Sequence, residues 1–152
     1  MRLCTELRKT AGIASVNDVV SAAVATLIFH NDQLLLGRRF TDNQFMGWQC
    51  PGGYLHQEEG IEQAARRHCL QKAGIEISDL YPGPYSNNIF SDHSHTVTLY
   101  TIAEAHRIQN QKLYESEQAQ WDWFGYNELP EKLFLPLYNV LNQHKISDIR
   151  KK

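Results

Sequence analysis

The amino-acid sequence predicts a mixed α+β layered fold, and three observations support this. Several short runs of β-branched and aromatic residues are bounded by turn residues, as strands are. One central stretch has apolar residues at helical spacing, and a second such stretch follows Pro130. The resulting order, β-β-α-β-β-β-α, implies helices packed on a mixed sheet within one domain.

The first two strands form a predicted hairpin. Residues 19–29 are rich in Val, Ala and Ile, residues 30–32 (His-Asn-Asp) are typical of a turn, and residues 33–36 continue as an apolar strand. We expect the chain to leave the sheet at residues 37–39. Residues 40–49 then form a polar and aromatic connection.

A glycine-containing turn and a helix follow. Pro51-Gly52-Gly53 predicts a turn in which two glycines allow positive φ and a ligand approaches the backbone closely. Residues 59–73 predict a helix, with Gly74 as its C-terminal cap. The apolar stripe of this helix consists of Ile61, Ala65 and Cys69.

The second half of the chain predicts three more strands and a closing helix. Residues 85–90 and 96–104 are typical of an antiparallel pair, and residues 121–124 suit a short strand. Along residues 96–104, one face carries Val97, Leu99, Thr101 and Ala103. The apolar spacing of residues 133–141 predicts an amphipathic helix.

Composition limits the classes of partner. The chain has 152 residues and a net charge of −2, so no concentrated basic face for duplex nucleic acid is expected. Its three cysteines show no paired spacing, which favours a reducing compartment. The first ten residues lack a signal-peptide core, and no apolar run approaches the roughly 20 residues that span a bilayer. We therefore expect a cytoplasmic protein without a membrane partner.

Residues 53–75 resemble the Nudix box, written G-x5-E-x7-R-E-U-x-E-E-x-G-U with U an aliphatic residue. The matching positions are Gly53, Glu59, Arg67, Gly74 and Ile75, with Cys69 at a U position. The three central glutamates of the box are replaced by His68, Gln71 and Lys72. Flanking sequences, Gly47-Trp48 and Trp121-Asp-Trp-Phe124 among them, resemble the MutT-type branch of the family.

This resemblance implies a Nudix-type α/β/α sandwich with a mixed sheet. Residues 16–145 would form the domain, residues 1–15 an N-terminal extension and residues 146–152 a C-terminal tail. Nudix enzymes cleave the diphosphate linkage of nucleoside diphosphate derivatives. They use Mg²⁺ or Mn²⁺, because a divalent cation neutralises the phosphates during attack by water.

The substituted positions argue against the usual metal site. Residues 68, 71 and 72 are related as i, i+3 and i+4, so their side chains share one helix face. Replacing three glutamates with His, Gln and Lys changes the charge of that face from −3 to +1. Since Mg²⁺ prefers carboxylate oxygens, we do not expect His68, Gln71 or Lys72 to bind it.

Lys72 has a second interpretation, because its ammonium group can replace the charge of the metal and contact phosphates directly. The predicted substrate-binding residues are Gly52, Gly53, Lys72, Trp48 and Gln49. The alternative is structural: His68, Gln71 and Lys72 would only solvate an exposed helix face.

The acidic residues before the helix are the candidates if catalysis is retained. Glu59 and Arg67 would then be catalytic, and Glu58, Glu59 and Glu62 would hold the metal, with Glu115 and Glu117 as candidate bases in a late loop. The structural alternative is that Arg67 pairs with Glu59. The glutamates would then favour the helix N-terminus electrostatically.

Three hypotheses follow. The first is a Nudix-fold protein that binds a nucleoside diphosphate compound and has weak or no Mg²⁺-dependent hydrolysis. The second is an active pyrophosphohydrolase with a relocated Mg²⁺ or Mn²⁺ site. The third is an interaction or regulatory module, including a homodimer such as some relatives form.

Overall fold

The computed structural model describes residues 19–104, the backbone of residues 108–110, and residues 120–150. The strands are β1 (Val20–His30), β2 (Gln33–Thr41), β3 (Gln44–Gln49), β4 (Gly52–Tyr54), β5 (Glu76–Ile77), β6 (Tyr81–Ile89), β7 (His95–Glu104), β8 (Ile108–Asn110) and β9 (Trp121–Gly125). The helices are α1 (Ile61–His68), a π-helical turn π1 (Cys69–Ala73), α2 (Leu135–Gln143) and α3 (Ile146–Arg150). The predicted extension, residues 1–15, and the candidate bases Glu115 and Glu117 lie outside the described residues.

Seven of these strands form a mixed sheet, and β5 and β8 pair antiparallel in a separate two-stranded sheet. The order along its main path is β3-β2-β1-β7-β6, with β4 paired to β1 and β9 paired to β2. The β1 and β7 strands are parallel over ten residue pairs, from Val20 opposite His95 to Phe29 opposite Glu104. The other pairings in this sheet are antiparallel. The predicted mixed sheet is therefore confirmed.

Helices cover both faces of the sheet, which makes a three-layer sandwich. On one face, the sheet residues Val24, Ile28 and Leu35 pack with Ala64, Ala65, Cys69 and Ala73 of α1 and π1. On the other face, Leu27, Phe29, Leu34 and Leu36 pack with Leu137, Val140 and Ile149 of α2 and α3. No helix in the described part of the chain is long and apolar enough to cross a membrane.

The first hairpin is confirmed, but its second strand is longer than the sequence predicts. The β2 strand continues to Thr41 and pairs with β3, so residues 37–39 do not leave the sheet and residues 40–49 are not a connection. Asp42 and Asn43 make the tight turn with φ of 51° and 65°. The prediction failed because this hairpin borders a cavity, described below, and so lacks an alternation of apolar and polar residues.

The predicted Pro51-Gly52-Gly53 turn is a short strand instead. Gly52 and Gly53 belong to β4, opposite Ala25 and Val24 of β1, and neither has positive φ. Glycine is required here by close packing. A Cβ atom on Gly52 would lie 2.5 Å from the carbonyl oxygen of Val24, closer than such atoms approach.

The predicted central helix is confirmed, although its last five residues are π-helical. Ala65 and Cys69 are buried as expected, whereas Ile61 is 42% exposed. Gly74 ends the helix in the left-handed region, with φ of 73°, as the sequence predicts. The indole nitrogen of Trp121 donates a hydrogen bond to the carbonyl oxygen of Lys72 at 2.8 Å, which holds the π-helical turn to the sheet.

The second half also follows the prediction, with the strands β6, β7 and β9 and the helix α2 at the expected places. Ile146–Arg150, within the segment expected to be a tail, forms the short helix α3. Arg150 forms an ion pair with Glu104 at the end of β7, at 2.7 Å.

Candidate functional site

A cavity of about 530 Å³ opens beside β1, where this strand pairs with β4. Its walls come from β1, the β2–β3 hairpin, β4, the β6–β7 turn, β7 and the first turn of α2. Its volume lies within the range of small-molecule sites, roughly 300–1,000 Å³. Gly52, Gly53 and Gln49, three of the predicted substrate-binding residues, line it.

Lys72 is not among the residues that line this cavity, but it contacts the Gly52-Gly53 wall. Its Nζ donates a hydrogen bond to the carbonyl oxygen of Gly52. A Cβ atom on Gly53 would lie 2.7 Å from this Nζ, so glycine is what allows the ammonium group to approach. Burial lowers the pKa of Lys72 below its ordinary value, and the positive charges of Arg39 and Arg67 lower it further.

His68 is buried behind the same wall, with 4% of its surface exposed. Its Nε2 lies 3.0 Å from the carbonyl oxygen of Tyr54. Because a carbonyl oxygen only accepts, Nε2 carries the hydrogen and Nδ1 is the acceptor nitrogen of the neutral ring. Nδ1 is buried and has no partner among the described residues. Burial lowers the pKa of His68, and the charges of Lys72 and Arg67 add to this effect.

The structure thus brings two of the three substituted positions together and separates the third. His68 and Lys72 both border Gly53, whereas Gln71 is exposed. The alternative of a solvated helix face is therefore wrong for His68 and correct for Gln71. The π-helical turn changes the angular spacing of residues 69–73, which is why i, i+3 and i+4 spacing did not place all three side chains together.

Glu59 and Arg67 form a bidentate ion pair. The Arg67 Nε and an η nitrogen donate to the two Glu59 carboxylate oxygens at 2.7 and 2.9 Å. The backbone nitrogen of His56 also donates to Glu59 at 3.0 Å. Hydrogen bonds from Arg67 and then His56 lower the pKa of Glu59 to about 2. The pairing predicted as the structural alternative is confirmed.

The structure does not bring the other two candidate metal ligands to Glu59. Glu58 and Glu62 are exposed, and Glu58 has φ of 65° in the loop before α1. Across residues 19–104 and 120–150, no group of three His, Cys, Asp or Glu side chains is placed to hold a metal ion.

Arg39 lines the cavity and was not predicted from the sequence. Its guanidinium carbon lies 5.1 Å from the centre of the Phe134 ring, which also lines the cavity. Its Nε is buried and has no hydrogen-bond partner in the described residues. Arg39 and Lys72 together therefore place two positive charges beside the cavity.

Trp48, predicted to contact substrate, does not line the cavity. Its ring packs edge-to-face on Phe124, with ring centres 4.8 Å apart, and its backbone pairs with residues 132–134. Trp48 is thus a packing residue beneath α2, because the β3 side chains that face the cavity are Gln44, Met46 and Gln49.

A polar wall on β7 was also not predicted from the sequence. Thr96, Thr98 and Tyr100 occupy alternate positions and line the cavity. The signal was present, since these residues alternate with the apolar Val97 and Leu99 and so face the opposite side of the strand.

A family model described as the NUDIX domain matches residues 20–144. The chain belongs to the Nudix family. A MutT Nudix hydrolase from Burkholderia pseudomallei has the same fold, with a TM-score of 0.72 and 19% identity over 85% of this chain and 99% of that chain. A MutT protein from Bacillus halodurans has a TM-score of 0.65, with 18% identity over 82% and 80% of the two chains. A bifunctional NMN adenylyltransferase/ADP ribose pyrophosphatase from Francisella tularensis gives 0.62, with 16% identity over 93% of this chain and 45% of that chain.

The Nudix family implies Mg²⁺ or Mn²⁺, but the residues at the Nudix metal positions do not fit such an ion. Lys72 brings a positive charge to the carbonyl oxygen of Gly52, and Gln71 faces solvent. His68 presents a neutral nitrogen, a softer ligand than the carboxylates that Mg²⁺ selects.

Proposed function

We propose that this Nudix-fold protein binds a nucleoside diphosphate derivative and has weak or no Mg²⁺-dependent hydrolysis. The observation that carries this proposal is the position of Lys72. Its ammonium group donates to Gly52 at the cavity wall, in place of one of the carboxylates by which the family holds its metal.

The electrostatics of the cavity support an anionic ligand. Neither Arg39 nor Lys72 has a carboxylate partner among the described residues, and the pKa of Lys72 is lowered by burial and by its cationic neighbours. A diphosphate in contact with both groups would neutralise this repulsion. Hydrogen bonds between cationic groups and phosphate oxygens are also stronger than those between neutral groups.

The same residues offer little for activation of water. Nδ1 of His68 is shielded from solvent, so it does not meet water in this conformation. Glu59 accepts three hydrogen bonds, and its pKa of about 2 makes it a weak base. Binding without efficient turnover follows from these two environments.

The test compares ADP binding by the wild type and by Lys72→Met, in chelator and in millimolar Mg²⁺, using calorimetry. We expect the wild type to bind equally well in both buffers, because Lys72 supplies the charge. Loss of one hydrogen bond to a charged group should weaken binding by about 10- to 100-fold in Lys72→Met. The matched control is Lys145→Met, since Lys145 is exposed and does not line the cavity.

Hydrolysis is measured on the same samples as release of phosphate and pyrophosphate from nucleoside triphosphates and diphosphate conjugates. We expect no metal-dependent rate above that of buffer. Rapid turnover with Mg²⁺ or Mn²⁺ would overturn the proposal in favour of a relocated metal site. A failure of every nucleotide and of pyrophosphate to bind would instead favour an interaction module.

A further inference from the structure

We propose that Thr96 and Thr98 make the cavity selective for a ligand edge that carries hydrogen-bond acceptors. In a nucleotide this is the keto edge of a base rather than an amino edge. The presence of a nucleotide rests on the proposed function. The direction of the hydrogen bonds at this cavity wall is set by a separate network of side chains, which does not involve Lys72.

The chain of hydrogen bonds begins at Asn139 in α2. The nitrogen Nδ2 of Asn139 lies 3.1 Å from the backbone carbonyl oxygen of Asn87. Because a backbone carbonyl only accepts, this end of the Asn139 amide must be the donor. The same nitrogen lies 3.1 Å from Oδ1 of Asn88. The Asn88 amide must therefore present its oxygen to Asn139.

The orientation of Asn88 then fixes the next step. Its Nδ2 faces away from Asn139 and donates to Oγ1 of Thr96 at 3.0 Å and to Oγ1 of Thr98 at 3.1 Å. Each of the two amide hydrogens is donated to one of these hydroxyls. Asn88 is fully buried, so water does not compete for these bonds.

Both threonine hydroxyls accept from Asn88, and each retains a hydrogen to donate. Neither hydroxyl has another partner within the described residues, and both side chains line the cavity. Thr96 is 9% and Thr98 is 3% exposed, so a ligand that offers no acceptor would leave buried O–H groups unsatisfied. A hydroxyl that already accepts one bond is also polarised to donate the next.

Pairs of matched nucleotides test this preference for a keto edge. UDP and CDP have similar shapes and differ by a 4-keto or 4-amino group, and inosine diphosphate and ADP differ in the same way at position 6. We expect the wild type to bind the keto member of each pair at least about 10-fold more tightly, as for one well-made hydrogen bond to a base edge. Equal affinity within both pairs would overturn the proposal.

Thr98→Val removes one donor at nearly constant volume and should reduce the preference to about 3-fold or less, whereas Thr98→Ser should restore it. The matched control is Thr101→Val. Thr101 lies on the opposite face of the same strand, where its hydroxyl pairs with that of Thr26 at 2.8 Å, so its loss should leave the preference unchanged. An unchanged preference in Thr98→Val would refute the assignment.

The variant Asn88→Asp should reverse the preference for the keto nucleotides. A carboxylate accepts from both threonine hydroxyls, which then offer only lone pairs to the cavity, so the preference should move toward CDP and ADP. If this variant does not fold, the Thr98 series decides the question. Binding of pyrophosphate with equal affinity for all four nucleotides would refute this inference alone. No binding of pyrophosphate or any nucleotide would refute the proposed function as well.

Discussion

The residue that replaces the first of the three central Nudix glutamates is buried rather than solvated. Nε2 of His68 donates a hydrogen bond to the carbonyl oxygen of Tyr54, and Nδ1 has no partner among the described residues. Lys72 and Arg67 both lower its pKa electrostatically, in addition to burial. Arg67 is paired with Glu59, whereas Lys72 has no carboxylate partner among the described residues. A proton on His68 would therefore lie beside the uncompensated charge of Lys72.

This environment predicts a pH dependence of stability that belongs to His68. Its pKa is lower in the folded state than in the unfolded state, where it is about 6.5. The unfolded state thus binds more protons between these two values, and the stabilisation is lost as the pH falls below about 6.5. His68→Gln retains a donor for Tyr54 without titrating. We expect the free energy of unfolding of the wild type relative to this variant to fall by at most ~1.4 kcal/mol per pH unit.

Urea unfolding at pH 7.5, 6.0 and 5.0 measures this difference. His144→Gln is the control, because His144 is exposed beyond the end of α2 and should keep the pH profile of the wild type. Parallel profiles for the wild type and His68→Gln would show that His68 is not held neutral by its surroundings.

At the scale of elements, the end of the box helix depends on a glycine and a tryptophan. The backbone nitrogens of Gly74 and Ile75 donate to the carbonyl oxygens of Leu70 and Cys69, and Trp121 donates to that of Lys72. These contacts close the π-helical turn that carries Lys72 toward β4. The geometry of the helix end therefore positions the residue on which the proposed function depends.

Gly74→Ala should destabilise the fold by about 1–2 kcal/mol, the cost of a left-handed conformation for a residue with a Cβ atom. The matched control is Gly125→Ala at the end of β9, where a Cβ atom would have no neighbour closer than 3.8 Å and no positive φ is required. Thermal unfolding of both variants measures the contrast. A melting temperature of Gly74→Ala equal to that of Gly125→Ala would contradict this role for the glycine.

The sequence predicts most elements that pack on the core, but it misses β5, β8 and α3 as well as elements that border the cavity. The hairpin of β1 and β2, the pair β6 and β7, and the helices α1 and α2 follow from periodicity and turn residues. The extension of β2, the strand β3 and the strand β4 were missed. Side chains such as Arg39 and Gln49 line the cavity there, so these strands lack the alternation of apolar and polar residues. The close approach to Gly52 and Gly53 is made by β1, His68 and Lys72, without positive φ, and the approach of a ligand to this backbone stays a prediction.

At the scale of the whole molecule, polar side chains from separate layers of the sandwich approach the cavity. Lys72 approaches it from the layer of α1 and π1. From the layer of α2, Asn139 contacts Asn88, which in turn donates to the threonines of β7. Its position within the box makes Lys72 a candidate phosphate contact from the sequence alone. The roles of Arg39 and Asn88 could not be predicted from the box, because only the fold brings residues of β2, β6 and α2 close to the same cavity.

The C-terminal helix is expected to contribute to the stability of the whole sandwich. Ile149 is 6% exposed and packs in the same core as Leu137 and Val140, while Arg150 pairs with Glu104 of β7. Ile149→Ala should cost about 2–4 kcal/mol, since it combines lost burial with a cavity. Ile89→Ala is the control, because Ile89 is 64% exposed and its truncation should change stability by less than about 0.5 kcal/mol. Chemical unfolding monitored by tryptophan fluorescence measures both values. If Ile149→Ala is as stable as Ile89→Ala, residues 146–150 do not contribute to the folding unit, and the boundary near residue 145 expected from the sequence applies.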